Sequence, residues 1–343
     1  MECQGIGEVR CVAVYTLREQ PLHCYLSVWG VLLNRSSRLM TVLLVCTGAL
    51  ASLGRSAPGF ADPAHGVRQF NFPSGVAVAR SGNVFVSDFS AHRIVKLSPR
   101  GKALLYFGAI EPKQVNKPGY IGLTVGPDGN VYVSDESNNT IVKFSPNGQL
   151  LAVWGGTGSG NGQFLSPQGI VVDRTGNVFV ADENNDRVQE LDASGHYVAA
   201  FGTKGSEQGQ FMGPSSVGLD SKGNIWVLDE FNERVQEFTS AGVFIRLWGT
   251  KGKSLGQFDE PEALFVTNHD KIVVADSSNH RVQKFDQRGR VLDHWGRKGN
   301  GVKQLSRPHG IAVDQTGNVY VADSDNSRIC KYNRHGKVLA VWY

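Results

Sequence analysis

The residues of this 343-residue chain best suited to metal chemistry are its histidines, eight of which follow residue 61. Imidazole nitrogens bind zinc, and a catalytic zinc site uses three protein ligands. His92, His280 and His309 are the set that a closed ring of repeats, described below, would bring nearest to one another. We expect no metal or other cofactor, because turn residues such as His92 and His280 should lie farther from the axis of the ring than the residues that line it.

Other catalytic signatures are absent from the sequence. No Gly-x-Ser-x-Gly motif marks a hydrolase nucleophile, and the glycine-rich segment 155–160 lacks the Lys-Thr of a phosphate-binding loop. Cys330 is the one cysteine after residue 61 and falls in an alternating apolar strand, so we expect a buried, unreactive thiol.

The charge balance argues against a nucleic-acid-binding protein. Five Arg and three acidic residues lie in the first 61 positions, so the rest of the chain has 30 basic and 28 acidic residues. A nucleic-acid-binding domain normally has a clear basic excess.

The first 61 residues resemble a secretory leader. Arg35 and Arg38 precede the apolar stretch Leu39–Leu53, and small residues follow as far as Ala61. We therefore expect a leader over 1–61, with the signal at about 35–61, and a folded domain over 62–343. The protein would be secreted or periplasmic, or attached to a membrane only if the leader were retained.

The folded domain is a sixfold repeat with a period of 47 residues. The same step relates the glycines, the aromatic residues and the aspartates of successive copies. The aspartates are Asp88, Asp135, Asp182, Asp229, Asp276 and Asp323. The glycines are Gly101, Gly148, Gly195, Gly242, Gly289 and Gly336, and the aromatics are Phe107, Trp154, Phe201, Trp248, Trp295 and Trp342.

Each copy contains four short apolar segments separated by Gly, Asn or Asp turns, which predicts a four-stranded antiparallel sheet. One such sheet cannot bury its own apolar faces, whereas six can stack around an axis. The sequence therefore predicts an all-β, six-bladed β-propeller with strands a to d in each blade, closed by packing blade six on blade one without strand exchange.

The pattern P-x-G-I-A-V-D, G-N-V-Y-V-A-D and N-x-R-V-Q-K-F-D resembles the NHL repeat, best at 308–323 and 279–286. This resemblance implies a propeller but no single function. NHL relatives include RNA-binding propellers of tripartite-motif ubiquitin ligases and the zinc-dependent lyase that cleaves peptidyl-α-hydroxyglycine. No RING-like segment precedes the repeats here.

The propeller face that carries the b–c turns and d–a connections has the longer and more variable loops, and we expect recognition there. Two variable repeat positions and one aromatic residue are the candidates, although all could be solvated loop residues. They are Ser74, Gln168, Glu262 and His309 at the first position, His92, Asp186, Glu233 and His280 at the second, and Phe231. Glu183, Asp186, Glu230 and Glu233 make the mouth of blades three and four acidic, which would attract a cation or a basic peptide, with solvated loops as the alternative.

The aspartates of the repeat are followed five residues later by arginine in five copies, with Thr140 in the second. A cationic ring for anionic ligands is one interpretation. Recurrence in nearly every blade favours a structural role instead. The arginines are Arg93, Arg187, Arg234, Arg281 and Arg328.

Taken together, these features favour a non-enzymatic propeller that binds a protein, peptide or glycan. A metal-dependent propeller lyase and an RNA-binding NHL domain remain the alternatives.

Overall fold

Each 47-residue copy forms one four-stranded antiparallel sheet, in the strand order of the sequence. The structure is a computed structural model that describes residues 69–108 and 117–343. The predicted leader lies outside the described residues. The fold prediction is confirmed: the chain forms an all-β, six-bladed propeller.

The strands of blades one to three have these bounds. Blade one contains β1 Pro73–Val78, β2 Val84–Asp88, β3 Arg93–Leu97 and β4 Ala103–Phe107; blade two contains β5 Tyr120–Val125, β6 Val131–Asp135, β7 Thr140–Phe144 and β8 Leu150–Gly155; blade three contains β9 Pro167–Val172, β10 Val178–Asp182, β11 Arg187–Leu191 and β12 Tyr197–Phe201.

Blades four to six repeat this order. Blade four contains β13 Pro214–Leu219, β14 Ile225–Asp229, β15 Arg234–Phe238 and β16 Phe244–Trp248; blade five contains β17 Pro261–Val266, β18 Ile272–Asp276, β19 Arg281–Phe285 and β20 Val291–Trp295; blade six contains β21 Pro308–Val313, β22 Val319–Asp323, β23 Arg328–Tyr332 and β24 Val338–Trp342. Short 3₁₀ helices occupy Phe89–Ala91, Glu183–Asn185 and Glu230–Asn232.

Burial explains why the second strand of each blade is almost wholly apolar. Every residue of β2, β10 and β14 is buried, because both faces of a blade pack against its neighbours. A strand buried on both sides has a continuous apolar sequence rather than an alternating one. The outer strands, such as Leu150–Gly155, are far more exposed.

The ring closes between blades six and one without strand exchange. Strands β1 and β21 are in contact, and Ser324 Oγ donates a hydrogen bond to the Pro73 carbonyl at 2.6 Å. The sheet of blade six consists of β21 to β24, and β24 pairs with β23. The closure expected from the sequence is therefore observed among the described residues.

The repeated glycines and repeated aromatics form one type of contact between blades. In blade three Gly195 has φ +88°, and a Cβ there would lie 2.4 Å from the Trp154 ring of blade two. Gly101 makes the same contact with Trp342, which joins blade one to blade six. Glycine is required because the turn needs a positive φ and the indole covers the position of the side chain.

Within the described ranges, no helix combines the length and the apolar character needed to cross a membrane.

Ring closure can be tested with Trp342→Ala. Trp342 packs against the blade one and blade six core, and its ring centroid lies 5.8 Å from that of Tyr320. We expect its loss to lower the free energy of unfolding by about 3 kcal/mol, in the range for removal of a large aromatic side chain. Urea unfolding followed by tryptophan fluorescence and circular dichroism measures this change.

Leu339→Ala is the matched control, since Leu339 lies on the same strand and is 51% exposed. The free energy of unfolding of this variant should be within about 0.5 kcal/mol of the parent value. Equal effects of the two substitutions would contradict the role assigned to Trp342.

Candidate functional site

The repeated aspartates fasten the d–a connections to the blades. Asp182 is fully buried; its Oδ1 accepts the Leu165 amide at 2.8 Å and its Oδ2 accepts Arg187 Nε at 2.8 Å. The equivalent ion pairs are Arg93–Asp88, Arg234–Asp229, Arg281–Asp276 and Arg328–Asp323, at 2.6–2.9 Å. Asp135, in the blade with Thr140, accepts the Gly119 amide instead.

The arginines of this column are occupied by protein groups. Arg187 Nη2 donates to the carbonyls of Gly160 and Gln163 at 2.9 Å each. Burial raises the pKa of Asp229, although the Met212 amide and Arg234 act in the opposite direction. These contacts leave the guanidinium groups directed at the chain rather than at a ligand.

The second variable position holds neighbouring blades together. His92, Asp186, Glu233 and His280 each end a b–c turn in the left-handed conformation, at φ 53–55°. Asp186 Oδ1 accepts the Gly213 amide at 3.0 Å, and Glu233 Oε2 accepts the Glu260 amide at 3.0 Å.

The two histidines of this position also bond to the connection that follows, but with opposite roles, because His280 accepts a hydrogen bond and His92 donates one. His280 Nδ1 accepts the Arg307 amide at 3.1 Å, and His92 Nδ1 lies 2.8 Å from the Pro118 carbonyl. Burial lowers the pKa of His280. At Asp186, Glu233 and His280, three different side chains therefore accept an equivalent backbone hydrogen bond from the next blade.

The histidine set considered for zinc is divided between two environments. His92 and His280 bond to the following blade, whereas His309 lies on the wall of the central channel. Among the residues described, no group of three or more His, Cys, Asp or Glu side chains could hold a metal ion.

The first variable position lines a central channel of about 360 Å³. Ser74, Gln168, Glu262 and His309 each follow the proline that begins strand a. Ser74 is buried, and its hydroxyl donates to the Tyr120 carbonyl at 2.9 Å. The other three are only partly buried, and we call the end of the channel that they surround the channel mouth.

Three glutamates from consecutive blades form an acidic arc at the channel mouth. Glu136, Glu183 and Glu230 each follow the repeated aspartate of their blade. Gln168 Nε2 donates to Glu183 Oε2 at 2.9 Å and to Glu136 Oε2 at 3.4 Å, so one amide bridges two carboxylates. The Glu230 carboxylate forms no hydrogen bond or ion pair with any residue the structure describes.

Burial and mutual repulsion favour protonation of the arc. Burial raises the pKa of Glu136 and of Glu183, and the Glu262 carboxylate raises both further. Burial raises the pKa of Glu230 to about 9, with further contributions from Glu262 and Glu183. Glu230 is thus mostly protonated at neutral pH, and a bound cation would favour its ionised form.

The carboxylates of blade five contact Arg307 and His309 of blade six. His309 Nδ1 lies 2.9 Å from Glu262 Oε2, and Arg307 Nη2 lies 3.5 Å from Glu262 and 3.7 Å from Glu260. Charge compensation is therefore confined to one side of the channel mouth, and the acidic arc lies outside it.

Aromatic rings flank the acidic arc. Phe89 occupies in blade one the repeat position that Glu136 has in blade two. The ring centroid of Phe72 lies 6.2 Å from that of Phe89 and 5.0 Å from that of His309. Phe231 adjoins Glu230 and is 53% exposed. Sequence reasoning singled out Phe231, Glu183 and Glu230, but it missed Glu136, Phe72, Phe89 and Arg307.

Glu136 and Phe89 could have been found by comparing the copies one position after the aspartate column.

The NHL repeat profile matches residues 70–97, 121–144, 164–191, 258–285 and 305–332. The chain is an NHL-repeat propeller. The matches fall in five blades, and the unmatched fourth has the same strand order and pairing. No curated protein matches the sequence.

Solved structures of low sequence identity share the propeller fold. A streptogramin B lyase is 16% identical with a TM-score of 0.59, covering 80% of this chain and 84% of its own. A catalytically inactive virginiamycin B lyase from Staphylococcus aureus with quinupristin is 17% identical, with a TM-score of 0.57 and coverages of 80% and 86%. A gluconolactonase from Xanthomonas campestris is 14% identical, with a TM-score of 0.56 and coverages of 75% and 84%. At these identities the similarity shows the fold alone.

The Asp–Arg pairs of the NHL propeller can be tested with Arg234→Ala. This change leaves Asp229 buried without its ion-pair partner and frees three carbonyls of the d–a connection. We expect a loss of about 3 kcal/mol in the free energy of unfolding, measured by chemical denaturation.

Arg290→Ala provides the control. Arg290 also pairs with an aspartate, Asp286, but its side chain is 77% exposed, so the change should be under about 1 kcal/mol. Unchanged melting of Arg234→Ala together with a loss of ligand binding would overturn the structural assignment.

Proposed function

We propose that this NHL propeller is a recognition protein that binds a basic segment of a protein or peptide at the channel mouth. The observation that carries the proposal is the acidic arc of Glu136, Glu183 and Glu230, which no cation of the described chain neutralises. An arginine or lysine side chain inserted there would supply the missing positive charge.

The chemistry of the channel mouth suits a cation with several hydrogen-bond donors. Guanidinium and ammonium groups form their strongest hydrogen bonds with carboxylates. The faces of aromatic rings also attract cations, and Phe72 and Phe89 lie at the same end of the channel. Carboxylates next to aromatic rings therefore favour a basic side chain over an anionic or purely apolar one.

A peptide can contact more of the residues at the channel mouth than a small amine can. Phe231 presents an exposed ring beside Glu230, where it can contact residues that flank the inserted side chain. Aromatic residues are enriched among the residues that dominate binding energy in protein interfaces. An RNA ligand fits poorly, because its phosphates would face the acidic arc.

We place this recognition outside the cytoplasm, in keeping with the leader predicted over residues 1–61. The apolar segment Leu39–Leu53 with Arg35 and Arg38 ahead of it supports export.

A lyase or hydrolase is the second candidate. Glu230 favours it, because a carboxyl group with a pKa of about 9 is protonated at neutral pH and can act as a general acid. Mass spectrometry of bound peptides separates the two candidates: a recognition protein returns them unchanged, and an enzyme alters their mass.

The proposal predicts the sequence preference of the channel mouth. In a screen of random heptapeptides on the purified propeller, Arg and Lys should be enriched at one position. The variant Glu183→Gln/Glu230→Gln should lose this enrichment. It should also bind the selected peptide at least about tenfold more weakly, as expected when a charge-assisted contact is removed.

Glu207→Gln/Asp293→Asn is the matched control, since it makes two acid-to-amide changes in a d–a connection and an outer strand. It should retain the parent preference. Selection of the same peptides by the Glu183→Gln/Glu230→Gln variant would refute a binding role for the acidic arc.

The affinity for an arginine peptide should rise with pH. Glu230 has a pKa of about 9 in the free protein, so it must release its proton to pair with the cation. The association constant should therefore increase between pH 7 and pH 9, by up to about tenfold per pH unit for one linked proton. Calorimetry at several pH values measures this, and Glu230→Gln should reduce the slope; equal slopes in parent and variant would exclude the linkage.

A further inference from the structure

A second and larger cavity opens at the opposite end of the propeller axis from the channel mouth. Its volume is about 810 Å³, and the a–b turns of blades one to five line it. Because the strands are antiparallel, a–b turns lie at the other end of each blade from b–c turns. The size is within the range of about 300–1,000 Å³ typical of small-molecule sites. We call this space the turn cavity.

Two carboxylates of the turn cavity, those of Asp173 and Asp220, accept hydrogen bonds from their own turns. Asp173 Oδ1 accepts the Thr175 and Asn177 amides at 2.8 and 2.9 Å. Both oxygens of Asp220 accept hydrogen bonds, from the Lys222 amide and the Asn224 side chain among others.

The cations of the turn cavity are not neutralised in the same way. Arg80, Arg174 and Lys222 are exposed on its rim, and none forms an ion pair within the described part of the chain. Lys96 also lines the cavity, where its Nζ donates to the Pro146 carbonyl at 2.7 Å. Arg80 and Arg174 therefore line the cavity rim without an ion-pair partner among the described residues, while Lys222 lies close enough to the Glu237 carboxylate to lower its pKa.

One turn on the rim adopts a conformation that its sequence does not favour. Asp270 has φ +53°, at a position where the other five copies have glycine. Its carboxylate accepts the Ser221 amide at 2.8 Å and the Ser221 hydroxyl at 2.7 Å, across the boundary between blades four and five. The bond fixes the turn that carries Lys222.

We propose that the turn cavity binds an acidic sugar, with its sulfate or carboxylate groups on Arg80, Arg174 and Lys222. Arginine and lysine bind such anions through charge-assisted hydrogen bonds. Between the cations lie uncharged polar side chains that suit sugar hydroxyls. They are Ser81, Asn83, Thr175, Ser221, Thr267 and Asn268.

This site is independent of the basic-peptide site proposed above, because it uses other blade termini and the opposite charge. A peptide and an acidic sugar would thus occupy different ends of the same propeller.

Calorimetric titration with a sulfated heparin tetrasaccharide tests the proposal, with the desulfated tetrasaccharide and inorganic sulfate as comparison probes. The sulfated sugar should bind with a Kd below about 1 mM and at least about tenfold more tightly than either comparison probe. Equal binding of inorganic sulfate would show an anion site without sugar recognition and would overturn the sugar assignment.

The triple variant Arg80→Ala/Arg174→Ala/Lys222→Ala should bind the sulfated sugar at least about tenfold more weakly than the parent does. Lys253→Ala/Arg297→Ala/Lys298→Ala makes the same change in net charge on the d–a connections and should bind as the parent does. Asn268→Trp, which adds bulk to the cavity without changing charge, should also weaken binding. If the Arg80/Arg174/Lys222 variant bound the sulfated sugar as strongly as the Lys253/Arg297/Lys298 variant, the turn cavity would be refuted as the binding site.

Discussion

The buried aspartate at the end of each second strand is the interaction on which the organisation of the propeller depends. Its fully buried carboxylate joins strand b to the following arginine and to the incoming d–a connection, as Asp182 does with Arg187 and the Leu165 amide. A buried charge is tolerated only where it is paired and hydrogen-bonded. Each blade therefore fixes the path of the chain into its own first strand, and that path places the residues of the channel mouth.

The fold could be predicted from the sequence because the same residue pattern occurs in six copies. Strand number, turn positions and closure without strand exchange all followed from columns such as Asp182 and Gly195. The pairing of Gly195 with Trp154 of the previous blade could not be predicted, because spacing along the chain does not show which columns meet across a blade boundary. The buried Phe164 column was missed for the same reason.

The candidate site was only partly predictable, because side chains that are neighbours in sequence can point in different directions and bond to different parts of the propeller. Asp186 and Glu183 belong to one turn, yet Asp186 bonds to blade four and Glu183 shares an amide with Glu136 at the axis. Variation between copies made the second variable position a candidate for recognition. At Asp186, Glu233 and His280 it proved to be variation among side chains that all accept the same backbone hydrogen bond.

The bond from Ser324 to Pro73 spans 251 residues, whereas adjacent blades elsewhere are joined by contacts between neighbouring repeats. During synthesis the N-terminal blades can pair in turn as they emerge, but the last interface must wait for blade six. Until then the first blade presents an uncovered apolar face. Completion of the circle is thus the late, non-local step of folding, and the nascent protein is most prone to aggregation just before it.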